Sequence, residues 1–294
     1  MKRNGTVQSR AFISMVVLSP VVTQAFLLFI FVAWYGVTNL FGLQPRFSAA
    51  EYLGRDRLLN ALRQPEKKSS AANNPFEDVL VTLLLPHSDV HVSDGKGQDD
   101  KFFALPILQR KGKDCVVYAA GLAGEARFEM MLSNLTSCEV HGFDCTLRTK
   151  QPEWKFSFHD WCLGKERSFE SNTYSKDKTS TGESFVFKSL SDVRRDLGHS
   201  HIDLLKFDIE GFEWELLDSL LQSDDSDLPS EILFELHTEG ANPVFVPSSV
   251  VSGKSRTAVN ILFLRLFDRG YRVTNVEINN GDSRCAEFAL MRNA

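Results

Sequence analysis

Two stretches of this sequence put acids where an apolar run ends. Asp203-Leu204-Leu205-Lys206-Phe207 leads into Asp208-Ile209-Glu210-Gly211-Phe212-Glu213, and the run 232–236 leads into His237. A carboxylate at a strand end can take a proton from a substrate hydroxyl, orient that hydroxyl, or hold a divalent cation. Asp208 is the first choice for any of these tasks, the metal included, because it still belongs to the strand end. Glu210 is a second pocket carboxylate. Period-two alternation puts Glu235 and His237 on one face of a strand, suited to a base or a metal-ligand pair. A hydrogen-bonded strand-end histidine is the plainer alternative. Glu213, beyond Gly211, reads as an acid favouring a helix N-terminus and facing solvent.

A second constellation suits binding. Ala119-Ala120-Gly121-Leu122-Ala123-Gly124-Glu125 follows an apolar run, and a glycine turn between strand and helix lets a ligand approach the backbone. Asp144 lies 23 residues beyond Gly121, after Gly142-Phe143. A carboxylate there can accept hydrogen bonds from both hydroxyls of a ribose. Gly121 and Gly124 shape the turn, and Glu125 is a candidate partner for a ligand amine. In Phe158-His159-Asp160-Trp161, Asp160 is placed to meet an adenine amine with Trp161 packing nearby.

These residues need a scaffold that gathers strand ends along one edge. Strands are expected at 115–119, 139–143, 155–159, 202–207, 232–236, 271–278 and 286–291. Helices are expected near 126–133, 190–197, 214–221 and 258–269. Such alternation indicates α/β architecture with a parallel sheet. The last two strands are separated only by a polar connection containing Asn280-Gly281, too short for a crossover, so they pair antiparallel. Five parallel strands with a terminal antiparallel hairpin is the Rossmann-like pattern of class I methyltransferases. A plain dinucleotide-binding fold would continue with parallel crossovers.

The stretch Asp208-Ile209-Glu210-Gly211-Phe212-Glu213, taken with residues 116–129 and Phe143-Asp144, resembles the FkbM-like family of S-adenosylmethionine-dependent methyltransferases. Within it the likeness is greatest to eukaryotic membrane-anchored methyltransferase-like proteins, over residues 100–294. The resemblance implies S-adenosylmethionine as cofactor and methyl transfer to oxygen on a sugar, a glycan or another small polyol. Two positions depart from the usual pattern. Ala119 stands where many class I enzymes carry an acid, and Ala123 replaces the second glycine of Gly-x-Gly. A catalytically silent adaptor keeping the fold is therefore one alternative; an NAD-dependent oxidoreductase, sharing glycine turn and ribose acid, is another.

The remaining chain bears on location. Residues 11–35 form an uncharged apolar run, and about 20 such residues cross a bilayer as a helix. Lys2, Arg3 and Arg10 precede it and Trp34-Tyr35 close it. That order predicts a 1–10 cytosolic tail, an 11–35 transmembrane signal anchor, a 36–74 stem and a 75–294 methyltransferase domain in the lumen of the secretory pathway. The alternative is secretion after signal cleavage. Asn134-Leu135-Thr136 is an N-glycosylation sequon, which matters only in a lumen. The formal charge of −5 argues against a nucleic-acid partner. None of the five cysteines forms a C-x-x-C pair. A Cys115–Cys138 bridge is geometrically possible between neighbouring strands, whereas Cys138 and Cys145 lie too far apart along one strand. His87, His91, His141, His199 and His201 read as surface or loop residues.

Overall fold

The computed structural model describes residues 49–63, 74–80, 89–92, 101–104, 115–122, 126–147, 150–164, 185–241 and 248–292. The apolar run 11–35 and the turn residues Ala123, Gly124 and Glu125 lie outside them. Among the described residues, no helix is long and apolar enough to cross a membrane. The chain divides into two compact units, Met1–Tyr52 and Leu53–Ala294, and the central sheet belongs to the second.

The elements in chain order are α1 (Ala49–Arg63), α2 (Glu77–Leu80), β1 (Asp89–Val92), β2 (Lys101–Ala104), β3 (Val116–Ala120), α3 (Arg127–Leu135), β4 (Glu139–Phe143), β5 (Ser157–His159), β6 (Trp161–Leu163) and β7 (Val186–Lys188). They continue with α4 (Leu190–Leu197), β8 (Leu204–Phe207), α5 (Glu213–Gln222), β9 (Glu231–His237), α6 (Arg256–Asp268), β10 (Tyr271–Ile278) and β11 (Cys285–Arg292). Seven strands form the main sheet in the order β10-β11-β9-β8-β3-β4-β5. The five strands β9, β8, β3, β4 and β5 are parallel, and the β10–β11 hairpin adds antiparallel against β9. This is the class I methyltransferase order, with the last strand inserted between the fifth and sixth. All seven expected strands are present. The β1–β2 and β6–β7 pairs, from runs too short and too mixed in polarity to read, were not expected.

Burial follows from this order. β3, β8 and β9 lie inside the sheet with both faces covered, so every residue in them is buried. Alternation sends Val116, Tyr118, Ala120, Leu205, Phe207, Ile232 and Phe234 to one face and Val117, Ala119, Leu204 and Leu233 to the other. On the first face Phe207 stacks on Phe234 at 5.3 Å, and Phe263 of α6 meets Phe288 of β11 at 4.7 Å between ring centres. The second face takes α3 with Trp154 and Phe156. Leu58 of α1, in the segment assigned to the stem, is buried in the larger core.

Cys115 is bonded to Cys138, and Cys145 to Cys162. Cys285 is free and buried. The histidine expectation needs correction. His141 is a buried residue of β4 and the His199 side chain is nearly so, because the strand turns His141 inward and the loop after α4 folds His199 over it. His91 sits in β1, and His87 lies outside the described residues.

Candidate active site

The crevice begins where β3 ends. Gly121 has φ +76°, and a Cβ there would lie 1.6 Å from the Asp208 carbonyl oxygen. Only glycine lets the two strand ends pass so closely. The Gly121 N–H donates to Phe143 O at 3.1 Å and the Asp208 N–H to Ala120 O at 3.1 Å, which ties the ends of β3, β4 and β8 together. Lys206, a cation inside an apolar strand, points its Nζ at Gly121 O (2.8 Å) and lies 3.7 Å from the buried Glu129 of α3. Sequence reasoning missed Lys206, although a lysine within Leu-Leu-Lys-Phe was the signal available.

Asp144 stands beside this turn with its side chain buried. Its Oδ2 accepts from the Leu122 N–H at 3.0 Å; its Oδ1 accepts from the Thr146 N–H at 2.9 Å and hydroxyl at 2.6 Å. The expected ribose acid thus also holds the glycine turn in place. Asp160 is exposed and follows β5, whose last carbonyl accepts from the Asp144 N–H. Trp161 is half-buried. Its ring packs against Phe143 and His159 under the Lys188 ammonium, 3.5 Å from the ring centre.

The acids converge beyond β8. Glu210 has φ +58° and Gly211 φ +102°, consecutive left-handed residues in one tight turn. For a non-glycine residue this costs on the order of 1–2 kcal/mol, so something must hold it. Glu213 does so, and the expectation that it faces solvent is wrong. Its side chain is 0 % exposed, with Oε1 accepting from the Ile209 and Gly211 N–H groups at 2.9 and 3.0 Å and Oε2 accepting from Gly211 at 2.9 Å. An acid six residues past a strand end can fold back onto its own turn and accept from the backbone amides there.

His237 sits at the centre. Its Nδ1 is 3.4 Å from Glu213 Oε1, close enough for an ion pair though not aligned as a hydrogen bond. Its Nε2 lies 3.5 Å from Glu210 Oε2 and 3.8 Å from Glu235 Oε2. The Trp214 indole N–H donates to the His237 carbonyl at 2.7 Å and fixes the strand end. Burial opposes charge on His237, but Glu213, Glu235 and Asp208 outweigh it and raise its pKa to about 10. Burial, then repulsion from Asp208 and Glu287, pushes Glu235 up to about 8. Both groups therefore hold a proton more tightly than their free counterparts. Asp208 Oδ1, by contrast, is buried with no hydrogen-bond partner among the described residues. Asp208, Glu235 and Glu287 bring one oxygen each within 4.8 Å of one another, and Asp208, Glu213 and His237 bring two oxygens and a ring nitrogen equally close. The first set suits a hard cation; in the second, Glu213 is already spent on backbone amides.

The sequence match agrees with this architecture. The family described as "Methyltransferase domain" matches residues 61–292. The human protein named "Probable methyltransferase-like protein 24" is 26% identical over 227 residues, 75% of this chain and 56% of the relative. The rat protein of the same name is 27% identical over 172 residues, 56% of this chain and 42% of the relative. The chain thus spans about half the length of the curated relatives it matches. A solved S-adenosylmethionine-dependent methyltransferase from Aquifex aeolicus, 12% identical, covers 63% of this chain and 85% of its own at a TM-score of 0.30, which adds nothing to what the strand order establishes.

Proposed function

The chain belongs to the methyltransferase-domain family, and from that premise we propose that it transfers a methyl group from S-adenosylmethionine to an oxygen of a sugar, a glycan or a small polyol. S-adenosylmethionine supplies, when bound, a methyl group on a sulfonium that is displaced in line. The Gly121 turn and the Asp144 carboxylate hold the nucleoside end, with Asp160 beside them. Asp208, across from Gly121, orients the acceptor hydroxyl and takes its proton. The observation that carries this reading is the buried Asp208 Oδ1, without a hydrogen-bond partner among the described residues, set beside His237 and Glu235, whose pKa values are both raised. Glu210 and His237 line the acceptor side. A pocket rich in carboxylates favours a neutral hydroxylated acceptor and repels a phosphodiester, which argues against nucleic acid.

Asp208→Asn keeps the size and removes the charge. With labelled donor and a panel of sugars and polyols, transfer should fall by about 10²-fold, the scale for a lost acid–base group, with donor affinity unchanged. Loss of activity with chelator, regained with Mg²⁺ or Mn²⁺, would assign Asp208 with Glu235 and Glu287 to a cation instead. Full turnover by Asp208→Asn sinks the assignment. The silent-adaptor reading draws on Ala119 and Ala123. Calorimetric titration with S-adenosylmethionine and with NAD separates these readings: an adaptor binds neither, an oxidoreductase binds NAD.

We also propose a single-pass type II anchor at residues 11–35, with the catalytic domain in the secretory lumen. Two disulfide pairs support an oxidising compartment, and the exposed Asn134 at the end of α3 leaves its sequon accessible. Carbonate extraction should leave the full chain in the membrane pellet, and protease outside intact microsomes should spare the domain. Release of a shortened chain would favour secretion after cleavage.

A further inference from the structure

A second polar cluster lies on the sheet face opposite the acids and has no part in the reaction above. Glu139 and His141 are two residues apart on β4 and share the face of Tyr118 and Phe143. His199 reaches them from the loop after α4, where its N–H donates to Arg194 O at 2.9 Å. His141 Nε2 is 3.0 Å and His199 Nε2 3.5 Å from the same carboxylate oxygen, Glu139 Oε1. One ligand atom from each of the three residues lies within 4.8 Å of the others.

We propose that Glu139, His141 and His199 bind one divalent transition-metal cation of the zinc type. Three features of the geometry carry this. Zinc bonds to nitrogen and oxygen of about 2.0–2.1 Å in a tetrahedron put neighbouring ligand atoms about 3.3–3.4 Å apart, close to the two separations found. The ligand set, two imidazoles and one carboxylate, matches zinc preference. Each imidazole also has its other nitrogen held: His199 Nδ1 lies 2.6 Å from the Tyr118 hydroxyl and His141 Nδ1 lies 2.9 Å from His159 Nε2. Such outer partners fix the tautomer of a metal-bound imidazole. With the single proton of each ring on Nδ1, Tyr118 and His159 accept it and both Nε2 lone pairs face Glu139. Cation entry is from the solvent side, where the Glu139 side chain is 42% exposed, and the fourth position is left to water or a partner's ligand. The cation would brace the start of β4 against the loop that leads into β8, one residue from the Cys115–Cys138 bridge.

The test is zinc titration of the purified, chelator-stripped full chain against a chromophoric competitor, with Co²⁺ as a spectroscopic probe of nitrogen ligation. The parent should take up one tight equivalent, and Asp208→Asn should keep it. Glu139→Gln and His199→Gln should lose stoichiometric binding while retaining both disulfides and the parent circular dichroism. Tyr118→Phe, which touches no metal, should weaken zinc by about 10–100-fold. If a ligand variant fails to fold, the Co²⁺ spectrum of the parent and the Tyr118→Phe affinity decide. A folded parent that takes up no stoichiometric zinc shows a hydrogen-bond network without a metal. Zinc that survives both ligand substitutions, or is lost only with Asp208→Asn, likewise overturns the proposal.

Discussion

Glu213→Gln is the sharpest probe of the crevice, because the sequence and the structure give opposite answers for it. An exposed acid at a helix N-terminus would contribute a few tenths of a kcal/mol. The structure instead buries the carboxylate completely, gives it the N–H groups of Ile209 and Gly211, and sets it 3.4 Å from a cationic His237. Gln offers one acceptor oxygen for those amides and no charge for the imidazolium. Removing one partner of a buried pair costs about 3–5 kcal/mol, and about 1 kcal/mol shifts the melting point by roughly 2–4 °C at this domain size. The expected loss is therefore about 6–20 °C by circular dichroism with the disulfides intact. The His237 pKa, followed by NMR, should fall as well, since Glu213 is the strongest of the groups that raise it. Glu153→Gln, at an exposed position, is the control. Melting of Glu213→Gln within about 2 °C of the parent would refute the buried-pair argument and return Glu213 to solvent.

The remaining expectations can be checked on the same material. Glu235 and His237 both bind a proton more tightly folded than unfolded, so stability should fall as pH rises, from about 4.5 to 8 for Glu235 and from about 6.5 to 10 for His237. Denaturant melts across that range should show the decline, and Glu235→Gln should flatten its lower part. Asp144→Ala should weaken S-adenosylmethionine by about 10–150-fold in calorimetry, the worth of a charged hydrogen bond. Gly121→Ala should fail to accumulate as folded protein at all, because its Cβ meets Asp208 backbone at 1.6 Å. Mass mapping of non-reduced peptides should recover Cys115–Cys138 and Cys145–Cys162. Reducing either should cost about 3 kcal/mol in urea melts, given sequence separations of 23 and 17.

What the sequence disclosed is what periodicity and strand ends disclose. The apolar runs before Asp144, Asp208 and His237 identify interior strands, and the short link around Asn280-Gly281 forces the last pair antiparallel. From there the edge that gathers Gly121, Asp144, Asp208 and Glu235 follows from connectivity alone. Side-chain direction did not follow. For Glu213, helix position speaks only to dipole preference, whereas its burial comes from a turn whose amides it accepts from. A histidine within Glu-Val-His-Gly-Phe, as His141 is, carries no mark of inward orientation until neighbouring strands cover it. Lys206 hid for the same reason. The Cys145–Cys162 bridge joins the loop after β4 to β6, a strand too short to register in the sequence.

The two polar clusters differ in what they cost the fold, and that difference bears on their roles. The Glu139 cluster is closed by its own contacts: each histidine has a partner on both ring nitrogens, and the carboxylate reaches solvent. It can persist for structural reasons and still accept a cation. The Asp208 cluster is not closed. Burial and repulsion raise the Glu235 pKa, Glu210 holds a left-handed backbone, and Asp208 retains a buried oxygen without a hydrogen-bond partner among the described residues. Apolar residues of similar volume at Glu235 and His237 would be expected to stabilise β9, since buried ionic groups rarely repay their desolvation. Unfavourable charge concentrated at the carboxyl ends of parallel strands, where α/β folds bind their ligands, is what a site selected for chemistry rather than for stability contains.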